Sequence, residues 1–492
     1  MSEAAPGAAL ALGRFPAALR EVIGLLALED RAQAPAWLVG GALRDIVTGE
    51  TPGELDLAVP AGALAWGRQL AERLGSTLVI LDEARGVCRL AGPVQIDVAD
   101  FRAPSLEADL GARDFTVNAL AVPLRLLAGG ERAPITDPTG GLGDLVARRV
   151  RLCAPGALVD DPVRILRAAR LALRPGWRLD AGIAPAARAA APALAGMAAE
   201  RVRDELGAML EGPRAGAGLR LLDRLGALAV LLPESHAMRA TAQPEPHRFD
   251  VWEHSLRAVE AADAVLAAPA ADFAPDSLPD LGAHLADDLG DGLTRRATLK
   301  LAALLHDVAK PETRTEADGR VRFIGHDVIG AARALAVAER LRLSRRAAAV
   351  VERLVRHHLR PMHLAQAGEI TRRARHRFFR DLDTEWPDLL LLALADAAAL
   401  RGDPPLAVWG DERGQVLRAL MSGAAAEQEL AAAPPLLRGE DVMAAFALPP
   451  GPEVGRLLAR AREAQALGLV ATREEALAEL ARPEPPAPER PA

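Results

Sequence analysis

The sequence predicts an α+β protein, with a small head in which strands and helices alternate and a long all-helical body behind it. Three observations predict this. Residues 36–102 carry four short apolar runs of strand character, Ala36–Val39, Leu55–Val59, Thr77–Leu81 and Val94–Ala99, with helical spacing over Ala61–Leu74 between the second and third. From about residue 141 strand signals vanish, and helices rich in Ala, Leu and Arg run to about residue 480. At 492 residues the chain is too long for a single hydrophobic core, and about three domains are expected.

Composition narrows the function. Hydrophobic residues make up 50% and charged residues 25%, as in an ordinary soluble globular protein. No uninterrupted apolar run is long enough to cross a bilayer, so no membrane partner is expected. The N-terminus lacks a basic stretch before its apolar residues and breaks at Arg14, which argues against a secretory signal. Cys88 and Cys153 stand in no metal-type spacing and fit a reduced, cytoplasmic compartment. The net charge of −7 excludes whole-molecule attraction to nucleic acid, so any contact must come from a local patch. Residues 145–214 supply one, with 12 arginines against 7 acids. Lys300 and Lys310 are the only lysines, and most of the Arg excess is attributed to composition bias. The acidic, Pro- and Gly-rich stretch 268–293 reads as a surface insertion, and 482–492 as a disordered tail.

In the head, Leu38-Val39-Gly40-Gly41-Ala42-Leu43-Arg44-Asp45 runs from a strand through a glycine pair into a helix. Such a turn lets backbone approach a polyphosphate, with the N–H groups of the helix N-terminus aimed at it. Thirteen residues beyond Gly41, Glu54-Leu55-Asp56 places two carboxylates on one face of a strand. Together they have the donor chemistry to hold two Mg²⁺ ions for in-line nucleotidyl transfer. An isolated pair of this kind would read as a solvated strand face.

This arrangement resembles the signature of polymerase-β-like nucleotidyltransferases, specifically the class II tRNA nucleotidyltransferases, which include CCA-adding enzymes and poly(A) polymerases. Further segments match the family in order. Asp97 takes the place of an acidic residue on the following core strand. Asp109-Leu110-Gly111-Ala112-Arg113-Asp114-Phe115-Thr116-Val117-Asn118 resembles an element in which Arg113 meets the triphosphate while Asp114 and Asn118 organise the sugar. Asp137-Pro138-Thr139-Gly140-Gly141 resembles the hinge after the head. Asp160-Asp161-Pro162-Val163-Arg164-Ile165-Leu166-Arg167-Ala168-Ala169-Arg170 reads as a capped helix, with Asp161 before Pro162 at its start and Arg164, Arg167 and Arg170 along one face. In the family the matching Asp and first Arg read the base edge of the incoming nucleotide, a part that falls to Asp161 and Arg164. Ala199-Glu200-Arg201-Val202-Arg203-Asp204-Glu205-Leu206 resembles the helix closing the neck. The resemblance implies a mixed sheet in the head, with Glu54 and Asp56 as Mg²⁺ ligands and Asp97 as a third catalytic candidate. Gly40, Gly41, Arg44, Asp45, Arg113, Asp114, Asn118, Asp161, Arg164, Arg167 and Arg170 would form the nucleotide site.

Three departures matter. Glu54 stands where the family usually has Asp, Ala112 replaces one arginine of a doubled pair, and only ten residues separate Arg102 from Arg113. Complete CCA-adding relatives carry a longer flexible loop in that interval, and CC-adding relatives a short one. The resemblance therefore implies addition of CTP and/or ATP to the tRNA 3′ acceptor end, and leaves open complete CCA synthesis, CC addition, A addition or poly(A) synthesis.

In the body, His254, the adjacent pair His306-Asp307 at the end of an apolar helix, His326, His357-His358 and Asp396 fall in order. Imidazoles and carboxylates without thiols suit a hydrolytic Mn²⁺, Mg²⁺, Ni²⁺ or Fe centre. The order resembles the HD phosphohydrolases; His254, His306, Asp307 and Asp396 match the core ligands, and His326 and His357 the extra ligands of two-metal versions. The expected organisation is an N-terminal helical segment (1–35), the nucleotidyltransferase head (36–140), a helical neck binding base and RNA (141–236), the HD metal domain (237–402) and C-terminal helices (403–481). A rival reading makes the HD site the main activity, a phosphohydrolase or phosphodiesterase with a degenerate RNA-binding head. A third makes the chain a non-enzymatic RNA-binding scaffold.

Overall fold

The computed structural model describes residues 9–32, 35–129, 132–267, 280–368 and 370–482. The chain divides into two compact units, one of Met1–Leu206 with Ala217–Pro233 and the other of Gly207–Gly216 with Glu234–Ala492.

The first unit opens with β1 (Ala9–Leu10), α1 (Ala17–Ala32), β2 (Trp37–Val39), α2 (Gly41–Thr48), β3 (Glu54–Val59), α3 (Ala63–Leu74) and β4 (Thr77–Asp82). β5 (Val87–Ala91), β6 (Gln95–Asp100), α4 (Leu106–Gly111), β7 (Ala121–Pro123) and β8 (Ala133–Pro134) follow. Six strands form one mixed sheet in the order β4-β5-β6-β3-β2-β7. β3 and β6 are parallel, in a register that sets Glu54 opposite Gln95 and Asp56 opposite Asp97; the other pairings are antiparallel. The four expected strands are present with their ends shifted by one residue. β5 and β7 were not legible, because β5 is short and interrupted by Arg89, and β7 spans three residues ending at a proline.

Alternation sends Leu55, Leu57, Ile96 and Val98 into the core with Cys88, Leu90 and the α3 residues Trp66 and Leu70. The opposite face is left to Glu54, Asp56, Gln95 and Asp97. The N-terminal segment is not a separate piece, since Leu10, Ile23 and Leu26 lie in this same core and β1 pairs with β8. The core also continues past the expected boundary at 140/141, taking in Val150, Ala168, Leu171 and Ile183. Two-residue strands, Arg149–Val150 and Arg178–Leu179, pair in parallel where none was expected; they are too short to carry a period. Buried Asp144 joins these parts, accepting from Thr116 Oγ1 at 2.7 Å, Arg149 Nε at 2.7 Å and Arg151 Nε at 2.8 Å.

The second unit is helical, apart from a small hairpin of Thr315–Ala317 with Arg320–Arg322. Its main helices are Val251–Ala267, Arg295–Leu305, His326–Arg340, Arg345–His357 and Trp386–Ala399. Of the expected insertion, residues 268–279 lie outside the described residues, as does the tail 483–492. The remainder, 280–293, is not a surface excursion. Leu281, Leu285, Leu289 and Leu293 are buried there, and His284 Nε2 lies 2.8 Å from Oδ2 of the fully buried Asp388. Only Leu281 and Leu285 lie in a helix, Leu281–Ala286; Leu289 and Leu293 are buried from the irregular segment that follows it. Gly439–Phe446, Pro452–Ala466 and Arg473–Leu480 close over a core of their own, including Val442, Leu457 and Leu480. Among the described residues no helix is long and apolar enough to cross a membrane.

Removing Asp144 would leave the buried Thr116 hydroxyl without its acceptor and take the shared carboxylate from the partly exposed Arg149 and Arg151. Asp144→Ala is expected to destabilise the first unit by about 2 kcal/mol, read as a lowered urea midpoint of its unfolding transition; an unchanged midpoint would show that the carboxylate ties nothing together.

Candidate active site and metal centre

The strand-turn-helix around Gly40 is built against Asp56. Gly40 has φ +75°, and a Cβ there would stand 2.6 Å from Asp56 Oδ2, so both conformation and space require glycine. The Gly41 N–H bonds to the Asp56 carboxylate. Burial first, then Glu54, with Asp97 adding, push Asp56 up to about 6 against the pull of Arg113. Glu54, the longer of the pair, accepts from Gln95 Nε2 at 2.6 Å. Glu54 and Asp56 thus offer closely spaced oxygen donors whose mutual repulsion a hard divalent cation would relieve.

Asp97, expected as a third catalytic candidate, departs from an open carboxylate in being already paired. Both its oxygens are taken by Arg89, at 2.8 Å from Nε and 2.8 Å from Nη2, a fork across the β5–β6 pair. Asp45 departs as well. It is wedged between Arg44 Nε at 2.9 Å and Arg174 Nη2 at 2.7 Å, and it holds Arg44 rather than facing the nucleotide cavity. Arg44 Nη1 in turn donates to Asn118 Oδ1 at 2.7 Å.

The interval from Arg102 to Arg113 carries a short helix, α4, in place of an irregular loop. Ser105 caps α4 by accepting from the Ala108 N–H at 3.2 Å. Buried Asp109 accepts from the Arg102 N–H at 2.9 Å and from Arg113 Nη2 at 3.1 Å, tethering both ends. Asp114 accepts from the Phe115 N–H at 2.7 Å, Asn118 Nδ2 at 3.2 Å and Arg167 Nη1 at 2.9 Å. Burial works against its charge, yet Arg167 and these donors hold it below the usual carboxylate range. Arg167 and Arg170 share Glu205, at 2.7 and 3.0 Å.

Asp161 was expected to cap the arginine helix. That helix instead begins at Arg164, with Val163 as its N-cap and no side-chain cap bond. The Asp161 carboxylate is therefore free for other work: Oδ2 accepts from Arg201 at 2.6 Å, while Oδ1 is buried without a hydrogen-bond partner. Arg164 is anchored on the Ala157 and Ala112 carbonyls at 3.2 and 3.4 Å.

One cavity of about 460 Å³ gathers these groups. Its wall includes the Gly40–Gly41 turn, the carboxylates Glu54, Asp56 and Asp97, the arginines Arg44, Arg113, Arg167 and Arg170, and the pair Asp161 and Arg164. Arg89, Arg102, Arg201 and Glu205 also line it and were missed by sequence reasoning. Arg201 and Glu205 lie one turn apart on the helix Ala199–Glu211, which was a usable signal. Arg89 needed the unseen strand β5.

In the second unit, His254, His306, Asp307, His326 and Asp396 converge as expected. The histidine that joins them is His358, not His357. His254 Nε2 lies 3.2 Å from His306 Nε2 and 2.9 Å from Asp396 Oδ1; His326 Nε2 lies 3.3 Å from both His358 Nε2 and Asp307 Oδ1. Two ligand triads result, His254-His306-Asp307 and Asp307-His326-His358, sharing the carboxylate of Asp307. Helix phase explains the correction: His358 follows Val351 by seven residues and Leu354 by four, on the buried face, whereas His357 follows Arg353. Burial, with His306 and His326 nearby, pushes His358 down to about 4 and leaves it neutral, the form that ligates. Burial opposes a charged His306, but Asp307 and Asp396 overcome it and raise the group to about 10. Imidazole nitrogens this close to one another suit a divalent transition ion between them. Sequence reasoning also missed Lys310, 2.7 Å from Asp307 Oδ2, and His247, whose ring packs 5.3 Å from that of His254.

The sequence matches the family model of the poly A polymerase head domain over residues 36–151. It matches the probable RNA- and SrmB-binding site of polymerase A over 178–238, and the HD domain over 280–400. It is 38% identical to an A-adding tRNA nucleotidyltransferase of Deinococcus radiodurans, covering 90% of this chain and 94% of that one. It is 36% identical to a CC-adding tRNA nucleotidyltransferase of Thermus thermophilus, covering 90% and 92%. Among solved structures, a CCA-adding enzyme with CTP shares its fold at TM-score 0.59 and 18% identity, over 95% of this chain and 96% of that one. The Thermotoga maritima CCA-adding enzyme complexed with tRNA does so at TM-score 0.55 and 19% identity, over 95% and 96%. With relatives of this identity matched over nearly their whole length, the chain belongs to the tRNA nucleotidyltransferase family.

Proposed function

We propose that this chain adds nucleotides to the 3′ end of tRNA without a template, using CTP or ATP, and that it builds part of the CCA end rather than all of it. The observation that carries the reading is the single cavity, in which three strand carboxylates, a glycine turn, eight arginines and Asp161, with its Oδ1 unsatisfied, share one wall. Divalent cations held by Glu54 and Asp56, Mg²⁺ by the hardness of the donors, would supply Lewis-acid stabilisation for attack of the RNA 3′-hydroxyl on the α-phosphate. Arg113, Arg44 and the Gly40–Gly41 turn hold the triphosphate. Asp114 and Asn118 orient the sugar. Asp161 Oδ1 accepts a hydrogen bond from the exocyclic amine that cytosine and adenine share, and Arg164 donates to the ring, which disfavours uracil and guanine. The arginine-rich neck grips the acceptor end through phosphates. Partial synthesis is supported by the short, tethered α4 interval and by the A-adding and CC-adding names of the two relatives.

The second unit supports a separate phosphohydrolase reading of the HD cluster, on the strength of the two triads around Asp307. It does not replace the first reading, because the head keeps its glycine turn, both strand carboxylates and the base-reading pair.

Four outcomes are expected. In a radiolabelled extension assay on tRNAs ending at the discriminator base, at C and at CC, wild type incorporates C onto the first two or A onto the last, not both. Asp56→Ala lowers incorporation at least about 100-fold; an active Asp56→Ala would remove the head as the catalytic centre. Because Asp56 titrates near 6, protons compete with the cation: half-saturating Mg²⁺ should stay flat above neutrality and rise up to about tenfold per pH unit below 6. A flat Mg²⁺ requirement from pH 7 to 5 would exclude Asp56 as a ligand. In the second unit, His358→Ala should lower Mn²⁺ or Ni²⁺ content measured by mass spectrometry, while His357→Ala leaves it unchanged; the reverse would restore the assignment made from sequence.

A further inference from the structure

The sheet register arranges the acidic face of the head in cross-strand rows. Asp56 on β3 stands opposite Asp97 on β6, and Asp97 opposite Arg89 on β5, so one row reads carboxylate, carboxylate, guanidinium. Glu54 and Gln95 form the row beside it. Arg89 is the cation of this strip: it forks onto Asp97 at 2.8 Å through two nitrogens, and Asp97, Glu54 and Asp56 all stabilise its charge. Its side chain is 37% exposed and that of Asp97 21%, so the fork stands at the cavity wall and not in the core. An arginine there satisfies the geometry of one carboxylate completely and opposes any divalent cation approaching the other two.

We infer that Arg89 is a resident counter-ion of the acidic strip, a positioning residue that keeps Asp97 out of the metal-ligand set and sets how tightly Glu54 and Asp56 take up a divalent ion. The inference rests on the nucleotidyltransferase reading of the head. It runs opposite to the simpler view of Arg89, as a sheet clamp that orients Asp97 for metal binding. On the clamp view, losing Arg89 weakens metal uptake or leaves it alone. On the counter-ion view, losing Arg89 strengthens it, because a positive charge leaves the strip and a third carboxylate becomes available.

The test is Mn²⁺ binding to the full chain, followed by electron paramagnetic resonance of free Mn²⁺. The Glu54→Gln plus Asp56→Asn double variant serves as the blank that removes the contribution of the histidine cluster in the second unit. Arg89→Gln is expected to tighten the head-dependent Mn²⁺ Kd by about three- to tenfold. Adding Asp97→Asn to Arg89→Gln should cancel most of that gain, since the freed carboxylate carries it. Arg89→Lys, which keeps the charge and loses the fork, should tighten the Kd less than Arg89→Gln, and the neutral Arg89→Met serves as the check should the glutamine variant fold poorly. A head-dependent Kd that is unchanged or weaker in Arg89→Gln, or in Arg89→Met in its place, overturns the counter-ion role while leaving the nucleotidyltransferase reading intact. No head-dependent Mn²⁺ in wild type overturns both.

Discussion

The head is organised around one awkward constraint, the parallel register that sets Asp56 beside Asp97 with Glu54 on the same face. Like charges on neighbouring strands repel, and a β-sheet cannot relax them apart without slipping register and burying the wrong face. The surroundings are arranged to tolerate this strip. Gly40 gives up a side chain so that Asp56 can approach the turn, and the Gly41 N–H offers it a hydrogen bond. Arg89 takes Asp97, and Gln95 takes one oxygen of Glu54. Burial and then the neighbouring carboxylates fall on Asp56, which holds its proton to about 6. The residue most strained electrostatically is the one best placed to gain from a bound cation.

The arginines around the cavity show the complementary arrangement. Each is aimed by an acid behind it: Arg44 by Asp45, Arg113 by Asp109, and Arg167 and Arg170 by Glu205. Much of the ordering cost of a long side chain is met before any ligand arrives, and planar guanidinium groups suit phosphate recognition. Asp161 is the exception, an acid aimed by an arginine, with its second oxygen left unsatisfied. An unsatisfied acceptor is costly in a folded protein, and that cost is understandable where a ligand donor is to fill it.

Much of this was legible in the sequence, and what was missed follows a physical pattern. The glycine turn, the Glu54–Asp56 strand and the histidine and aspartate order could be read because they are local: each depends on residues a strand or helix turn apart. Arg89 was invisible because its role exists only across a strand pair whose own signal is five residues long. His358 could have been chosen over His357 by following the apolar face of its helix, a test that a count of spacings does not apply. Asp161 was misread as a cap because its position before Pro162 satisfies the local rule, while the tertiary partner Arg201 lies forty residues on. The buried leucines of 281–293 were hidden by a composition average, and only Leu281 and Leu285 share a helix whose period could have shown them.

The departures from the family pattern also look different once placed in the fold. Ala112, where the family has a second arginine, lies outside the cavity lining; its carbonyl anchors Arg164, which lines the cavity with Arg102 and Arg113. Glu54, one methylene longer than the expected Asp, is held by Gln95 from the opposite position on the parallel strand. A longer carboxylate arm loses positional certainty, and a donor fixed on the adjacent strand restores it at one oxygen while leaving the other for a ligand. Glu54 is thus accommodated by a partner that the register brings beside it, so its departure from Asp keeps an oriented oxygen donor on the strand.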